Sequence, residues 1–246
     1  MNFPSTEFDD AVAAVCQGTA SEAGVAELHA TLRAHEAARD CGPLTWDPSA
    51  TARWLSDDET YAYLSDDGFV EYRWDGGNDD IFIERIHGAS ADAVRALWSV
   101  IASHASVAET VRVRIGPDDP LWWLTHERDA WITSRSMWML RVVDAPAAIA
   151  ARGFPAAVSL SVPLVISDHA RPANSGRWQL TVGDGKGILV PNGSGILPGA
   201  RGLAALYAGT PVTTLRLAGL ASGGAADTDA ALDAAFAATT FMLDDF

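Results

Sequence analysis

The last residues of the chain place carboxylates next to apolar side chains. The sequence closes on TTFMLDDF, in which Asp244, Asp245 and the α-carboxylate of Phe246 follow the apolar run 241–243. A chain end is ordinarily polar and frayed. This apolar end predicts a terminus docked into a pocket, which would bring the α-carboxylate of Phe246 inside the protein. Asp244 and Asp245 are equally well explained as two solvated acids of an acidic tail.

A second candidate is the turn Arg85-Ile-His-Gly88-Ala-Ser90, which joins a predicted strand to a predicted helix. Ser90 is placed to cap an amphipathic helix over residues 91–103. Backbone N–H groups at a helix N-terminus can hold a phosphate. Ser90 is also explained as an ordinary helix cap, and His87 as an ordinary loop histidine. The turn alone therefore leaves phosphate binding and a structural role both open.

Other sequence features argue against a disulfide framework, a metal site and a phosphate-binding loop. Cys16 and Cys41 lie 25 positions apart with no CxxC pattern and no histidine at ligand spacing, so neither a disulfide framework nor a zinc site is expected. The glycine-rich groups GDGKG and NGSG lack the Lys-Ser/Thr ending of a phosphate-binding loop, so they are interpreted as turns. No metal cofactor is expected, and a reducing cytoplasm is the expected location.

The charge balance narrows the classes of partner. The chain has 246 residues with 17 Lys and Arg against 32 Asp and Glu, a formal net charge of −15. This excess argues against nucleic acid or an anionic membrane surface as the main partner and is compatible with a cationic small molecule. Acidic charge also simply keeps a protein soluble. No apolar run approaches the roughly 20 residues of a membrane-spanning helix.

The first half of the chain predicts helices around an antiparallel meander. Apolar spacing predicts helices before the meander, and a period of two then predicts three successive strands. An amphipathic helix, a further strand and a short tryptophan-bearing helix follow. This order indicates an α+β layer of sheet covered by helices. The predicted helices are 22–40, 48–55, 91–103 and 121–124, and the predicted strands are 60–65, 68–74, 80–86 and 110–115.

A stretch around residues 136–154 joins this half to one richer in Ala and Gly. Residues 137–143 are almost continuously apolar except for Arg141, which predicts a strand buried on both faces. Asp144 is placed to cap the helix that follows, with Pro146 in its first turn. Pro163 places its own strand at a sheet edge or at a bulge. The further predicted elements are strands 157–166, 177–182 and 186–191, with a hairpin turn at 183–185, and helices 199–208, 211–218 and 228–238.

The order of elements in the first half resembles the GNAT acetyltransferase fold. In that fold the turn between the corresponding strand and helix binds the pyrophosphate of acyl-CoA, with a pattern of the form [RQ]xxGx[GA]. Arg85 and Gly88 match this pattern, whereas Ser90 departs from it. The resemblance therefore implies a cofactor-binding turn at Arg85, Gly88 and Ser90 that has become degenerate.

A more specific resemblance extends over roughly residues 40–246. Its segments are DDPLWWL, MWMLRVVDAPAAIAARGF, NSGRWQLTVGDG, LAALYAGTPVTTLRLAG and DAALDAAFAATTFMLDDF. In this order they look like the C-terminal two-thirds of the enhanced intracellular survival family of GNAT N-acetyltransferases. The implied fold class is α+β: a degenerate GNAT-like domain with a mixed sheet and covering helices over 1–145, then a smaller sterol carrier protein-like α+β domain over 146–246.

The resemblance also implies a function and its limits. Members of the family have a first GNAT domain that binds acetyl-CoA and supplies a tyrosine as general acid, and this domain is expected to be absent here. The family's C-terminal carboxylate acts as general base, which maps onto Phe246, with Asp244 and Asp245 adding negative potential toward an amine substrate. The expected function is the substrate-side portion of an amine N-acetyltransferase, which uses acetyl-CoA only with a complementing GNAT domain.

Two alternatives stay open. The sterol carrier-like domain favours a non-enzymatic module that binds a lipid or another hydrophobic ligand, or an assembly subunit. Trp122, Trp123, Trp131 and Trp138 lie close together in sequence and are explained either by core packing or by a subunit interface. The resembling enzymes form homo-oligomers, so a homo-oligomer is expected.

Overall fold

The computed structural model describes residues 28–34, 47, 49–50, 53, 57–77, 79–125 and 130–243. The chain divides into two compact units. Unit 1 comprises Met1–Arg135 with Phe241–Phe246, and unit 2 comprises Ser136–Thr240. Residues 28–34 are helical, as the predicted helix over 22–40 requires, and the remainder of that helix lies outside the described residues. Most of the helix predicted over 48–55 lies outside them as well.

Unit 1 contains a four-stranded mixed sheet in the order β1-β2-β3-β4. The first three strands form an antiparallel meander, and β4 runs parallel to β3. This confirms the predicted meander and the mixed α+β class. The strands are β1 (Tyr61–Ser65), β2 (Gly68–Asp75), β3 (Asp80–Gly88) and β4 (Thr110–Val113), and the helices that follow are α1 (Ala91–Ala102) and α2 (Leu121–Leu124).

A register shift between Glu71 and Tyr72 gives the two faces of this sheet different chemistry. Tyr72 pairs with Ile83 on the face that packs against α1, where a buried apolar cluster forms. Glu71 pairs instead with Arg85, so that the opposite face carries buried charge. The apolar cluster comprises Val70, Tyr72, Ile81, Ile83, Leu97, Trp98, Ile101 and Leu121.

Unit 2 is built on a three-stranded antiparallel sheet in the order β5-β6-β7. Asp184 and Gly185, both with positive φ, form the predicted hairpin turn between β6 and β7, as a type I′ turn requires. Pro163 lies in β5, an edge strand of this sheet, as predicted. The elements are α3 (Ala145–Ala151), β5 (Leu160–Ile166), β6 (Gly176–Gly183), β7 (Lys186–Pro191), β8 (Leu197–Pro198), α4 (Ala200–Tyr207), α5 (Val212–Leu217), β9 (Ala221–Ser222) and α6 (Ala226–Ala235).

The helix α3 begins as predicted. The Asp144 carboxylate accepts a hydrogen bond from the Ala147 N–H at 2.9 Å, and Pro146 lies in the first turn. The interior of unit 2 is filled by an apolar cluster in which the rings of Phe154 and Phe236 meet edge to face, 5.5 Å apart. This packing fixes α3 and α6 around the sheet.

The strand predicted over residues 137–143 is wrong. These residues belong to no strand, and residues 130–141 make no backbone–backbone hydrogen bond with the part of the chain that the structure describes. Met137 is 88% exposed and Met139 is 97% exposed, whereas burial on both faces was predicted. An apolar run becomes a doubly buried strand only where neighbouring strands and a covering layer are present.

Candidate functional site

The strand-to-helix turn of unit 1 is the first candidate site. Arg85 and Gly88 belong to β3, and Ser90 caps α1. A Cβ added at Gly88 would lie 2.7 Å from the Val94 side chain and 2.9 Å from the Val94 nitrogen, so β3 meets α1 here at close range. Glycine at this position therefore has a packing role.

Arg85 does not lie near the N-terminus of α1. Successive residues of a strand alternate between the faces of a sheet, and Gly88 faces α1, so Arg85 and His87 face the other way. Both side chains are buried, at 4% exposure. On the same face His29 Nε2 lies 2.5 Å from Glu71 Oε1, the partner of Arg85 in the strand register. Arg85 is therefore part of a buried polar layer.

Ser90 is committed to contacts within the protein. Its hydroxyl donates to Asp67 Oδ2 at 2.5 Å and accepts from the Ala93 N–H at 3.1 Å. The Ala89 N–H of the same turn donates to the Asp67 carbonyl at 2.8 Å. Asp92 adds a further carboxylate in the first turn of α1. Two carboxylates thus stand where a pyrophosphate would need positive charge.

The three residues Arg85, Gly88 and Ser90 do not fit the pyrophosphate of acyl-CoA. The Arg85 side chain lies on the face of the sheet away from α1, and the Ser90 hydroxyl at the helix N-terminus already donates to the Asp67 carboxylate, which would repel an anion there. The cofactor-binding assignment to these residues, in its degenerate form, stays a prediction.

Titration of the protein with acetyl-CoA is expected to show no specific binding. Repulsion from Asp67 and Asp92 and the burial of Arg85 leave a dissociation constant weaker than about 1 mM, equivalent to roughly −4 kcal/mol. Isothermal titration calorimetry measures this directly, with an acetyltransferase of known affinity as the positive control. Micromolar binding that Ser90→Asp abolishes would contradict the expectation and restore the turn as a cofactor site.

The chain end can be followed to residue 243. In unit 2 the Thr240 hydroxyl donates to the Ala208 carbonyl at 2.7 Å. In unit 1 the Phe241 ring packs against Gly116, where an added Cβ would lie 2.9 Å from that ring. Residues 240 and 241 are therefore held by specific contacts, and the docking of the terminus stays a prediction. Asp244, Asp245 and Phe246 lie outside the described residues.

Unit 2 has a surface cleft of about 430 Å³. Arg141, Asp168 and Arg201 line it together with the backbone around Gly199 and Leu220. Arg141 Nη2 lies 2.6 and 2.8 Å from the two carboxylate oxygens of Asp168. Arg201 brings additional positive charge, so the cleft is unsuited to a cationic amine.

Asp168 is buried and yet ionised. Burial raises the pKa of its carboxyl group, but hydrogen bonds from Arg141, Asn174 and the Arg171 N–H outweigh burial and hold the pKa below its ordinary value. The Asn174 amide also donates to the carbonyls of Val142 and Val143. Asp168 and Asn174 together therefore fix the chain just before α3.

Comparison with family models decides what the two halves are. The model described as an acetyltransferase (GNAT) domain matches residues 42–142, and the model described as a sterol carrier protein domain matches residues 145–243. N-acetyltransferase Eis from Mycobacterium tuberculosis is 35% identical over 142 residues, which cover 55% of this chain. The chain is therefore similar to part of the Eis N-acetyltransferases, with one GNAT-like and one sterol carrier-like part.

The homology covers only part of the longer proteins. The match spans 33% of the length of Eis from M. tuberculosis, and the same figures hold for Eis from Mycobacterium bovis. An uncharacterized N-acetyltransferase from Streptomyces coelicolor is 29% identical over 168 residues, or 39% of its own length.

Solved structures agree with the fold. The GCN5-related N-acetyltransferase from Kribbella flavida is 45% identical with a TM-score of 0.82, and the match covers 92% of this chain and 59% of that one. The corresponding protein from Anabaena variabilis is 26% identical with a TM-score of 0.79, covering 89% and 60%. The chain therefore spans about three fifths of the length of these structural relatives.

The sequence did not identify the cluster of Arg141, Asp168 and Asn174. A charged residue inside an apolar run needs a partner, and this was the signal available at Arg141. No spacing pattern connects it to Asp168, 27 positions later. Within the described ranges no group of three or more His, Cys, Asp or Glu residues could hold a metal ion. No helix in those ranges is long and apolar enough to cross a membrane.

Proposed function

We propose that this chain is the substrate-side portion of an Eis-like amine N-acetyltransferase and transfers acetyl groups only together with a GNAT domain that binds acetyl-CoA. The observation that carries this proposal is the turn before α1, where Ser90 donates to Asp67 and Arg85 faces away. A GNAT domain without a usable pyrophosphate turn needs the cofactor to be held elsewhere. The unmatched two fifths of the K. flavida relative provide room for such a domain.

The chemical contribution of this chain is the α-carboxylate of Phe246. An amine attacks a thioester only after it loses a proton, and a carboxylate within hydrogen-bond reach accepts that proton directly or through a water. The carboxylate also attracts the cationic form of the amine, and Asp244 and Asp245 strengthen this attraction. The acceptor is therefore a small amine with positive charge at neutral pH, matching the acidic balance of the chain.

A complementation assay tests the function. The unmatched part of the K. flavida relative is produced as a separate domain and, in a second form, fused to the full chain. Putrescine, spermidine and lysine methyl ester serve as acceptors, and release of free CoA is followed with a thiol reagent. We expect transfer to require both parts.

The controls separate the possible outcomes. Each part is assayed alone, and the added domain is assayed with a heat-denatured sample of this chain. Turnover by the full chain alone would contradict the need for a second domain. Turnover by the added domain alone, unchanged by this chain, would contradict a substrate-side role.

The lipid-carrier alternative gains no support from the part of the chain that the structure describes. The interior of unit 2 is filled by side chains that include Phe154, Trp178 and Phe236, and its surface cleft is lined by two arginines. Native mass spectrometry of freshly purified protein checks this alternative, because a retained lipid would appear as a mass increment above that of the chain.

A further inference from the structure

The segment 136–143 combines an anchored C-terminal half with an uncovered apolar surface. Four of its large hydrophobic side chains are exposed: Met137, Met139, Leu140 and Val143. Val142 is buried at 6% exposure, and Trp138 is half-buried. Val142 alone of these residues belongs to the apolar cluster of unit 2, so most of the hydrophobic surface of the segment is uncovered. Monomeric proteins rarely leave such contiguous apolar surface open.

The C-terminal half of the exposed segment is attached to unit 2 by side-chain contacts. Arg141 holds the segment through its contacts of 2.6 and 2.8 Å with the buried carboxylate of Asp168. Asn174 Nδ2 donates to the carbonyls of Val142 and Val143 at 3.2 and 3.3 Å. The C-terminal half of the segment is therefore anchored to unit 2, and its outward side chains are presented in a defined direction.

The backbone of the segment is its second feature. Residues 136–141 make no backbone–backbone hydrogen bond within the described part of the chain. Its amino-acid pattern, however, is that of a strand buried on both faces. Unpaired N–H and C=O groups beside apolar side chains form a template for the addition of another strand. Methionine side chains adapt readily to a partner surface.

We propose that the segment 136–143 is the docking strand for the completing GNAT domain, and that Met137, Met139 and Val143 form its contact surface. This inference rests on the proposed function, because that function supplies the occupant. The length of the relatives supports the choice: the K. flavida protein matches 92% of this chain, yet 41% of its own length remains outside the match. The K. flavida relative therefore carries additional protein beyond the part that resembles this chain, and this protein is the proposed occupant.

The test measures hydrogen exchange and binding with the full chain. In the isolated chain the amides of residues 137–141 are expected to exchange at nearly unprotected rates. Addition of the unmatched domain of the K. flavida relative is expected to slow their exchange and to give micromolar binding in calorimetry. The double variant Met137→Asp/Met139→Asp is expected to weaken binding by at least about 10-fold, as loss of central apolar contacts does.

Leu217→Asp is the matched control. Leu217 is 86% exposed on α5 of the same unit, so its substitution removes one exposed apolar side chain and adds one negative charge outside the segment, as each half of the double variant does within it. Binding is expected to be unchanged in this variant. Equal weakening by Leu217→Asp and by the double variant would overturn the assignment of the surface.

The remaining outcomes also decide the matter. A fused form raises the effective concentration of the added domain, so docking should be nearly complete in it. Rapid exchange of amides 137–141 in the folded fusion would therefore contradict the docking proposal. Protection already present in the isolated chain at low concentration would show that the chain's own residues cover the segment. Concentration-dependent protection without the added domain would show a second copy as occupant. Docking without acetyl transfer would contradict the proposed function but not the docking proposal.

Discussion

Moving the terminal carboxylate is expected to abolish most acetyl transfer by the complemented enzyme. Deletion of Phe246 shifts the α-carboxylate back by about one residue, roughly 3.5 Å of extended chain, and addition of one glycine shifts it forward by the same distance. General-base catalysis typically contributes about 10²- to 10⁴-fold to rate. We therefore expect kcat to fall by at least about 100-fold in both variants, measured as CoA release with spermidine as acceptor.

Substitution at the same position provides the matched control. Phe246→Leu keeps the α-carboxylate in place and retains an apolar side chain, so most activity is expected to remain. The pH dependence gives a second readout. A general base must be deprotonated, so kcat of the unaltered enzyme decreases as the pH falls through the pKa of the carboxylate, and this acidic limb is expected to disappear from the residual activity of the shifted variants.

Two results would contradict the role of Phe246. Unchanged kcat in both shifted variants would remove the α-carboxylate from the mechanism. An increased KM with an unchanged kcat would assign the terminus to amine binding rather than to proton transfer. Binding of the completing domain is measured in parallel, because failed assembly would otherwise imitate a catalytic defect.

The local elements of the fold followed from the sequence because each is specified by nearby residues. The turn at Asp184 and Gly185 needs positive φ values that this pair readily adopts, and the helix α3 begins where Asp144 and Pro146 place it. The meander of unit 1 followed from its period of two. These signals depend on residues that are close in sequence, so they can be identified without knowledge of the tertiary structure.

The strand prediction over residues 137–143 was wrong because strand formation there does not depend on local sequence alone. The apolar pattern of these residues correctly indicates side chains that need cover, but whether a strand forms depends on a neighbouring strand that the pattern cannot supply. The face on which Arg85 lies was equally hidden, because it depends on the register shift beside Glu71. The candidate site therefore depends on pairing and register, whereas the identified elements depend on local sequence.

The second large expected effect is the loss of stability on substitution of Asn174, whose side-chain amide is buried. Its Oδ1 accepts from the buried Ala145 N–H at 2.8 Å, at the start of α3, and its Nδ2 also lies 3.3 Å from Asp168 Oδ2. With the bonds to the carbonyls of Val142 and Val143, one side chain satisfies four groups. Leaving a buried polar group without a partner costs about 1 to 3 kcal/mol.

Asn174→Ala is therefore expected to lower the free energy of unfolding of unit 2 by about 2 to 4 kcal/mol, since several of these groups lose their partner together. Native-state hydrogen exchange at core amides of β6, such as Leu180, reports this unit separately from unit 1. Asn192→Ala is the matched control, because the Asn192 side chain is exposed and accepts a hydrogen bond from the adjacent Gly193 N–H. Loss of this exposed side chain is expected to change the free energy of unfolding by less than about 0.5 kcal/mol. A change below about 1 kcal/mol in Asn174→Ala would mean that water replaces the amide, so that the anchoring of segment 136–143 would depend on Arg141 and Asp168 alone.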